Sequence, residues 1–343
     1  MHGMLAAIAT CAAPRFRTKS GQWYSPLYPE LFRSDDGPRR EWFEPELIDA
    51  LEAADDSALR RLTRREHPDA EVFSFPWLRP SFAQMLLSEA DHYAASGLSN
   101  PKPNGMNNYG LLFNHIGMEQ MWQEIVRRMV APLAQVLFPH LLGGGSLDNQ
   151  HAYTVHYDTT SDSHGLDIHH DSSDITFNAA LDAAGSFEGS GLRFCGLYST
   201  RRYRQYSFTY RHTLGRAILY DGRMRHGAEP ILSGSRTNLV VWMHASAYRA
   251  SAAAKANNEP RHEMGAGSAD PRCVSHHHDA DYCAHRLPGF EAYCPFGADG
   301  VNTFMRTWRN ALSHERYWQV GTTLDDVSSS TSGSSDDSAQ CTP

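Results

Sequence analysis

The sequence predicts a mainly β protein in which helices precede the β core and pack on one of its outer faces. Short segments rich in β-branched and aromatic residues, separated by Gly, Asp and Ser, fill about residues 150–248. Upstream of the triple glycine at 143–145, apolar residues instead recur every three or four positions. That spacing is the period of an amphipathic helix, so the two halves of the chain differ in secondary structure.

The helical half contains four segments with distinct signals. The charged stretch 46–66 carries a partial leucine stripe and predicts a helix. Residues 72–78 (VFSFPWL) predict a strand that the proline ends, and residues 81–93 predict a helix with a serine near its start. A longer amphipathic helix over 118–136 is expected to kink or divide near Pro132, because proline lacks a backbone N–H.

Five segments of the second half read as strands: AYTVHY, ITFNAAL, GLRFCG, RAILY and RTNLVVWMHA. Beyond position 250 this pattern ends, and the last residues are rich in Ser and Asp, a composition typical of disorder. The predicted organisation is a partly helical N-terminal extension (1–69), a domain (70–250) with helical support (70–142) and a β core (about 150–248), a C-terminal extension (251–324) and a disordered tail (325–343).

The overall composition narrows the possible partners. The chain has 343 residues and is 41% hydrophobic, which is ordinary for a globular protein. Its net charge of −8 gives no overall electrostatic attraction to nucleic acid or to an anionic membrane. No apolar run approaches the length of a membrane span. The basic run 201–204 leaves a local contact site open, although a solvated loop is favoured. Six cysteines are too sparse for a disulfide scaffold, which favours a reducing, intracellular compartment (cytoplasm or nucleus).

The stretch GLDIHHDSSDITFNAAL (165–181) carries the clearest chemical signal. On a strand, His169 and Asp171 point to one face and His170 to the other. A third ligand is expected from a later strand, where His226 follows an Asp-Gly turn signal. Two histidines and one carboxylate on one face of a metal leave open positions, as in non-haem Fe(II) oxygenases, although zinc accepts similar ligands.

Arg236 indicates which co-substrate such a centre would take. It follows His226 by ten positions, at the start of the last predicted strand. A guanidinium can hold a carboxylate through two parallel hydrogen bonds. Because a keto acid that chelates iron at one end needs an anchor at the other, this pairing favours 2-oxoglutarate.

At this point the sequence resembles a known family, the 2-oxoglutarate and Fe(II)-dependent dioxygenases of the prolyl and lysyl hydroxylase type. The similarity is greatest to a subgroup named only as 2-oxoglutarate and iron-dependent oxygenase domain-containing proteins, and it covers about residues 70–250. The motifs that carry it are His169-x-Asp171, FEGSGLRF (187–194), HTLGRAILYDGRMRHG (212–227), Gly234-Ser235-Arg236, FSFPWLRPSF (73–82), PNGMNNYG (103–110) and NLVVWMHASAYR (238–249).

The resemblance implies a double-stranded β-helix, or jelly-roll, core and a hydroxylation reaction. It implies Fe(II), 2-oxoglutarate as co-substrate, O₂, and ascorbate as the reductant. The substrate is not identified by the resemblance: a protein side chain or a small molecule both fit, and a prolyl or lysyl side chain is favoured. The roles it assigns are iron ligation to His169, Asp171 and His226, and co-substrate binding to Arg236, Tyr157 and Asn178.

Several other interpretations of the same residues stay open. His156 and Asp158 form a second His-x-Asp pair upstream. The Cys- and His-rich segment 273–294 contains possible zinc ligands, but its spacing matches no common zinc module. A zinc-dependent hydrolase on the same ligands, or a non-catalytic jelly-roll binding module with a vestigial metal site, would also account for the pattern.

Overall fold

The computed structural model of the protein describes residues 14–33, 35–104, 106–161, 163–182, 185–197, 207–257 and 273. The α-helices are α1 (Pro45–Glu52), α2 (Asp56–Leu62), α3 (Pro80–Ala95), α4 (Phe113–Ile116), α5 (Glu119–Ile125), α6 (Ala131–Leu137), α7 (Ser246–Arg249) and α8 (Ala252–Asn257). Shorter turns are 3₁₀-helical at Pro29–Phe32, Arg40–Trp42 and Pro139–Leu141, and π-helical at Val126–Val130.

The strands are β1 (Phe16–Arg17), β2 (Trp23–Tyr24), β3 (Arg64–His67), β4 (Ala70–Pro76), β5 (Asn149–Asp158), β6 (Leu166–His169), β7 (Ile175–Ala180), β8 (Phe187–Gly189), β9 (Leu192–Leu197), β10 (Phe208–Tyr210), β11 (Arg216–Asp221), β12 (Met224–Ala228) and β13 (Ile231–His244). A large sheet has the order β3-β4-β11-β7-β13-β5, with β8 also paired to β13, and a small sheet has the order β10-β9-β12-β6. From β5 to β7, and again from β11 to β13, the chain passes back and forth between two facing antiparallel sheets, which is the predicted jelly roll.

The two faces of the large sheet have different roles because side chains alternate along each strand. The odd-numbered residues of β7 join the main core, where the helices cover the outer face of the sheet: the rings of Trp77 and Phe177 lie 4.8 Å apart there. The opposite face meets the small sheet, and Phe194 packs edge-on against Tyr220 at 5.1 Å. The prediction of helices packed on one outer face of a β core is confirmed.

Two helical predictions differ from the structure in detail. The stretch 46–66 is two helices and a strand, because the Asp55 carboxylate accepts from the backbone N–H groups of Ser57 and Ala58 and so begins α2 anew. Its last residues form β3, which pairs with β4 at the edge of the large sheet. The helix over 118–136 is divided as predicted: a π-helical turn separates α5 from α6, and Pro132 lies in the first turn of α6.

The predicted tail (325–343) and nearly all of the C-terminal extension lie outside the described residues. The same holds for the Cys- and His-rich segment 273–294, apart from its first residue. None of the helices in the described part of the chain combines the length and the apolar character that a membrane span requires.

Cys273 forms a disulfide with Cys195 of β9, a partner 78 positions away that the sequence did not predict. Both cysteines are fully buried and pack against Ile168 on the outer face of the small sheet. Buried disulfides are more typical of oxidising compartments, so the intracellular location expected from the cysteine content stays a prediction.

We expect reduction of this disulfide to lower the free energy of unfolding by about 2–4 kcal/mol, because the bond closes a long loop in the unfolded chain. Urea unfolding with and without dithiothreitol would measure the effect. Cys195→Ser is the matched control, since dithiothreitol should destabilise only the wild-type protein. Equal unfolding midpoints for the oxidised and reduced wild-type protein would contradict this expectation.

Candidate functional site

The three predicted metal ligands converge on the inner face of the small sheet. His169 ends β6 and His226 lies in the adjacent strand β12, where the two residues are direct cross-strand partners. Asp171 follows two residues after His169, so its carboxylate reaches the same side. One ligand atom from each of the three side chains lies within 4.8 Å of the others. Among the residues that the structure describes, no other group of three His, Cys, Asp or Glu residues meets this criterion.

Backbone carbonyls orient both imidazole rings. His169 Nδ1 donates to the carbonyl of Asp167 over 2.7 Å, and His226 Nδ1 donates to the carbonyl of Met224 over 2.8 Å. Since a carbonyl can only accept, each Nδ1 must carry the proton, and each Nε2 keeps its lone pair. The two Nε2 atoms lie 3.5 and 3.6 Å from the oxygens of Asp171. Hydrogen bonds of this kind fix the tautomer that binds a metal.

The protonation states also suit a metal. Burial lowers the pKa of His226 to about 4, so its imidazole is neutral at pH 7. Burial alone would raise the pKa of Asp171, but the attraction of the adjacent His226 and His169 imidazoles when these are protonated, together with the hydrogen bond from Thr176, lowers it to about 2. At neutral pH the site therefore offers a neutral imidazole and a carboxylate, which are the forms that bind a divalent cation.

Arg236 is a buried cation on the opposite sheet. It lies in β13 as the cross-strand partner of Tyr157 and is 1% exposed. Its guanidinium carbon is 5.0 Å from the centre of the Tyr157 ring and 5.8 Å from that of Phe187. One terminal nitrogen donates to the carbonyl of Ser190, whereas its Nε has no hydrogen-bond partner among the described residues. Burial lowers the pKa of Arg236 to about 10, so the group stays charged at pH 7.

All six predicted site residues line one cavity between the two sheets. Asn178 and Tyr157 face it from β7 and β5 of the large sheet, because even-numbered residues of β7 and odd-numbered residues of β5 point inward. The Asn178 side-chain oxygen accepts a hydrogen bond from Asn238 over 2.5 Å. The structure thus brings together His169, Asp171, His226, Arg236, Tyr157 and Asn178.

Other lining residues were not predicted. The hydroxyl of Tyr220 lies 3.3 Å from an oxygen of Asp171 and 3.3 Å from His226 Nε2. Tyr153 and Asn107 also line the cavity. The strand AILYD offered a signal for Tyr220, because alternation places it on the face opposite the buried Leu219. Asn107 lies in a loop, where no periodicity indicates the direction of a side chain.

The alternative His-x-Asp pair is positioned differently. His156 Nδ1 contacts the hydroxyl of Thr237 over 3.0 Å, and Asp158 accepts from Thr160 and Ser161 in a turn. Neither residue lines the cavity that contains the three predicted metal ligands. His170 is exposed, in agreement with the prediction that it points away from the site.

The chain is similar to one known family model and to several known proteins. A family model described as an OGFOD2-like domain matches residues 21–143. The chain is 32% identical over 243 residues to the Arabidopsis thaliana 2-oxoglutarate and iron-dependent oxygenase domain-containing protein ICU11, covering 68% of this chain and 59% of that protein. It is 33% identical over 243 residues to human 2-oxoglutarate and iron-dependent oxygenase domain-containing protein 2, covering 69% and 67%.

A more distant relative is human procollagen-lysine,2-oxoglutarate 5-dioxygenase 1, with 28% identity over 185 residues that cover 50% of this chain and 23% of that protein. The chain thus spans between about three fifths and two thirds of the length of the first two relatives. The chain belongs to the family of 2-oxoglutarate and iron-dependent oxygenase domain-containing proteins.

Proposed function

We propose that the protein is an Fe(II)- and 2-oxoglutarate-dependent dioxygenase that couples oxidative decarboxylation of 2-oxoglutarate to hydroxylation of a substrate. One observation carries this proposal: a His-Asp-His ligand set and a buried arginine with a free donor line the same cavity. A metal site alone would fit many activities. A cation held apart from the metal ligands, on the facing sheet, fits a co-substrate with one chelating end and one free carboxylate.

The ligand set fits iron. Two imidazole nitrogens and one carboxylate oxygen on one side leave positions for a chelating co-substrate and for O₂. In this proposal His169, Asp171 and His226 hold Fe(II), which when bound would supply the O₂ activation and the decarboxylation that yields succinate and CO₂.

The protein side chains would bind and orient the co-substrate. Arg236 pairs with the far carboxylate, and its unpartnered Nε is the donor available for a second, parallel hydrogen bond. Tyr157 packs against the guanidinium and keeps it away from water, which strengthens the ion pair. Asn178, held by Asn238, adds a neutral hydrogen-bonding group on the same wall.

We further propose a prolyl or lysyl side chain of a protein as the substrate, with a small molecule as the alternative. The name of the procollagen-lysine relative supports the first class. Ascorbate is the proposed reductant that keeps the iron ferrous, and an intracellular location is proposed. The net charge of −8 supports neither a nucleic acid nor a membrane partner.

The test is succinate formation by protein purified without oxygen and then given Fe(II), 2-oxoglutarate, ascorbate and O₂. We expect succinate to form only when both Fe(II) and O₂ are present, and not when Zn(II) replaces Fe(II). A zinc-dependent hydrolase would act without O₂. A non-catalytic binding module would form no succinate, whether or not peptides containing proline and lysine are added as candidate substrates. Activity that does not need O₂, or the absence of succinate under all of these conditions, would refute the proposed activity.

A further inference from the structure

Tyr220 is a buried tyrosine whose hydroxyl lies beside two of the three proposed metal ligands. It lies in β11 of the large sheet, is 0% exposed, and reaches across to the small sheet that carries the histidines. Its ring stands edge-on to His226 at 5.0 Å and to Phe194 at 5.1 Å. These contacts hold the hydroxyl 3.3 Å from both Asp171 Oδ2 and His226 Nε2.

The two oxygens of Asp171 have different surroundings. Oδ2 accepts a hydrogen bond from the Thr176 hydroxyl over 2.7 Å and a second, longer one from Tyr220. Oδ1 faces His169 Nε2 at 3.5 Å. Oδ2 also lies 3.6 Å from His226 Nε2, but the Thr176 and Tyr220 hydroxyls already contact it, so we expect a metal to bind Oδ1 and Asp171 to bind through one oxygen only.

Metal binding would decide where the single Tyr220 proton points. Without a metal, both Asp171 Oδ2 and the lone pair of His226 Nε2 can accept it. A metal bound to Nε2 uses that lone pair, which leaves Oδ2 as the acceptor. The hydrogen bond from Tyr220 to Asp171 is therefore expected to be strongest in the metal-bound protein.

We propose that Tyr220 is a positioning residue that holds Asp171 as a one-oxygen ligand and thereby keeps the remaining metal positions open for the co-substrate and O₂. This inference rests on the metal centre of the proposed function. It goes beyond that function because Tyr220 is not one of the three proposed ligands. It also predicts that removing the Tyr220 hydroxyl changes both the coordination of the metal and the affinity of the protein for it.

The test is a titration with Co(II) in the absence of O₂, followed by visible absorption, on the full chain. Tyr220→Phe removes one hydroxyl and keeps the ring. We expect it to bind Co(II) about 10-fold more weakly than the wild-type protein and to show an altered Co(II) spectrum. Tyr210→Phe is the matched control, because Tyr210 is also a buried tyrosine facing between the sheets but is not among the cavity-lining residues. It should leave both readouts unchanged.

If Tyr220→Phe unfolds, a second variant tests the premise that hydroxyl contacts to Oδ2 position Asp171, and unchanged Co(II) binding in it would overturn the inference. Thr176→Val removes the other hydroxyl donor to Oδ2, so it should also weaken Co(II) binding. Equal Co(II) affinity and spectra in wild-type and folded Tyr220→Phe protein would overturn the inference and leave the proposed function intact. An Fe(III)-loaded wild-type protein with a tyrosinate charge-transfer band that Tyr220→Phe lacks would also overturn it, since Tyr220 would then be a ligand. No Co(II) binding by the wild-type protein would refute the metal centre itself.

Discussion

His226→Ala is expected to reduce Fe(II)-dependent succinate formation to background. The variant would leave one imidazole and one carboxylate, and it would remove the proposed metal ligand that β12 contributes. Because the remaining pair cannot hold the metal on three sides, affinity as well as turnover should fall. Succinate measured by mass spectrometry and Co(II) affinity measured by titration would report the two effects separately.

His170→Ala is the matched control for this prediction. His170 is the same residue type and adjoins a proposed ligand, but its side chain is exposed. This variant should keep wild-type turnover, whereas His169→Ala should behave like His226→Ala. Wild-type kinetics in folded His226→Ala protein would contradict the assigned role.

Arg236→Met is expected to raise the concentration of 2-oxoglutarate needed for half-maximal rate, with a smaller effect on metal binding. The guanidinium is 1% exposed and lies among aromatic rings, so water cannot replace its pairing with a carboxylate. Losing one partner of a buried charge pair costs about 2–5 kcal/mol of binding free energy. This corresponds to roughly a 30-fold or larger increase in the dissociation constant of 2-oxoglutarate. Calorimetric titration of 2-oxoglutarate in the presence of Mn(II) would measure it.

Two further variants sharpen this prediction. Arg236→Lys keeps the charge but loses the planar fork, so its affinity for 2-oxoglutarate should lie between those of Arg236→Met and the wild-type protein. Arg249→Ala removes a half-exposed arginine that pairs with Asp174 outside the cavity, and it should leave 2-oxoglutarate affinity unchanged. Unchanged 2-oxoglutarate affinity in Arg236→Met would mean that the co-substrate is anchored elsewhere.

The parts of the site that follow a local rule could be predicted from the sequence. The two-residue period of an extended segment predicts His169 and Asp171 on one side, and the two side chains do meet there although β6 ends at His169. To predict His226 and Arg236 as site residues, it was enough to expect further strands later in the chain. The structure places the two residues on facing sheets around one cavity. Their chemical roles stay predictions until the variants above are measured.

Features that depend on which distant segments meet could not be predicted in this way. Tyr220 contacts Asp171 because the segment between β6 and β7 lies beside the end of β11, where the Asp171 backbone N–H donates to the carbonyl of Gly222. Alternation along a strand indicates a face but not which segment lies next to it. The Cys195–Cys273 bond joins positions 78 apart, and no local pattern predicts that distance. The division of the first helical stretch depended on a single side chain, the Asp55 cap.

The most direct measurement of the central claim is the fate of oxygen from O₂. Protein with Fe(II) and 2-oxoglutarate would be exposed to oxygen-18 gas, and the succinate analysed by mass spectrometry. A 2-oxoglutarate-dependent dioxygenase places one atom of O₂ in succinate, so we predict succinate heavier by one oxygen-18 atom, and none from His226→Ala. Unlabelled succinate, or no succinate from a protein that binds both metal and 2-oxoglutarate, would contradict the proposed function.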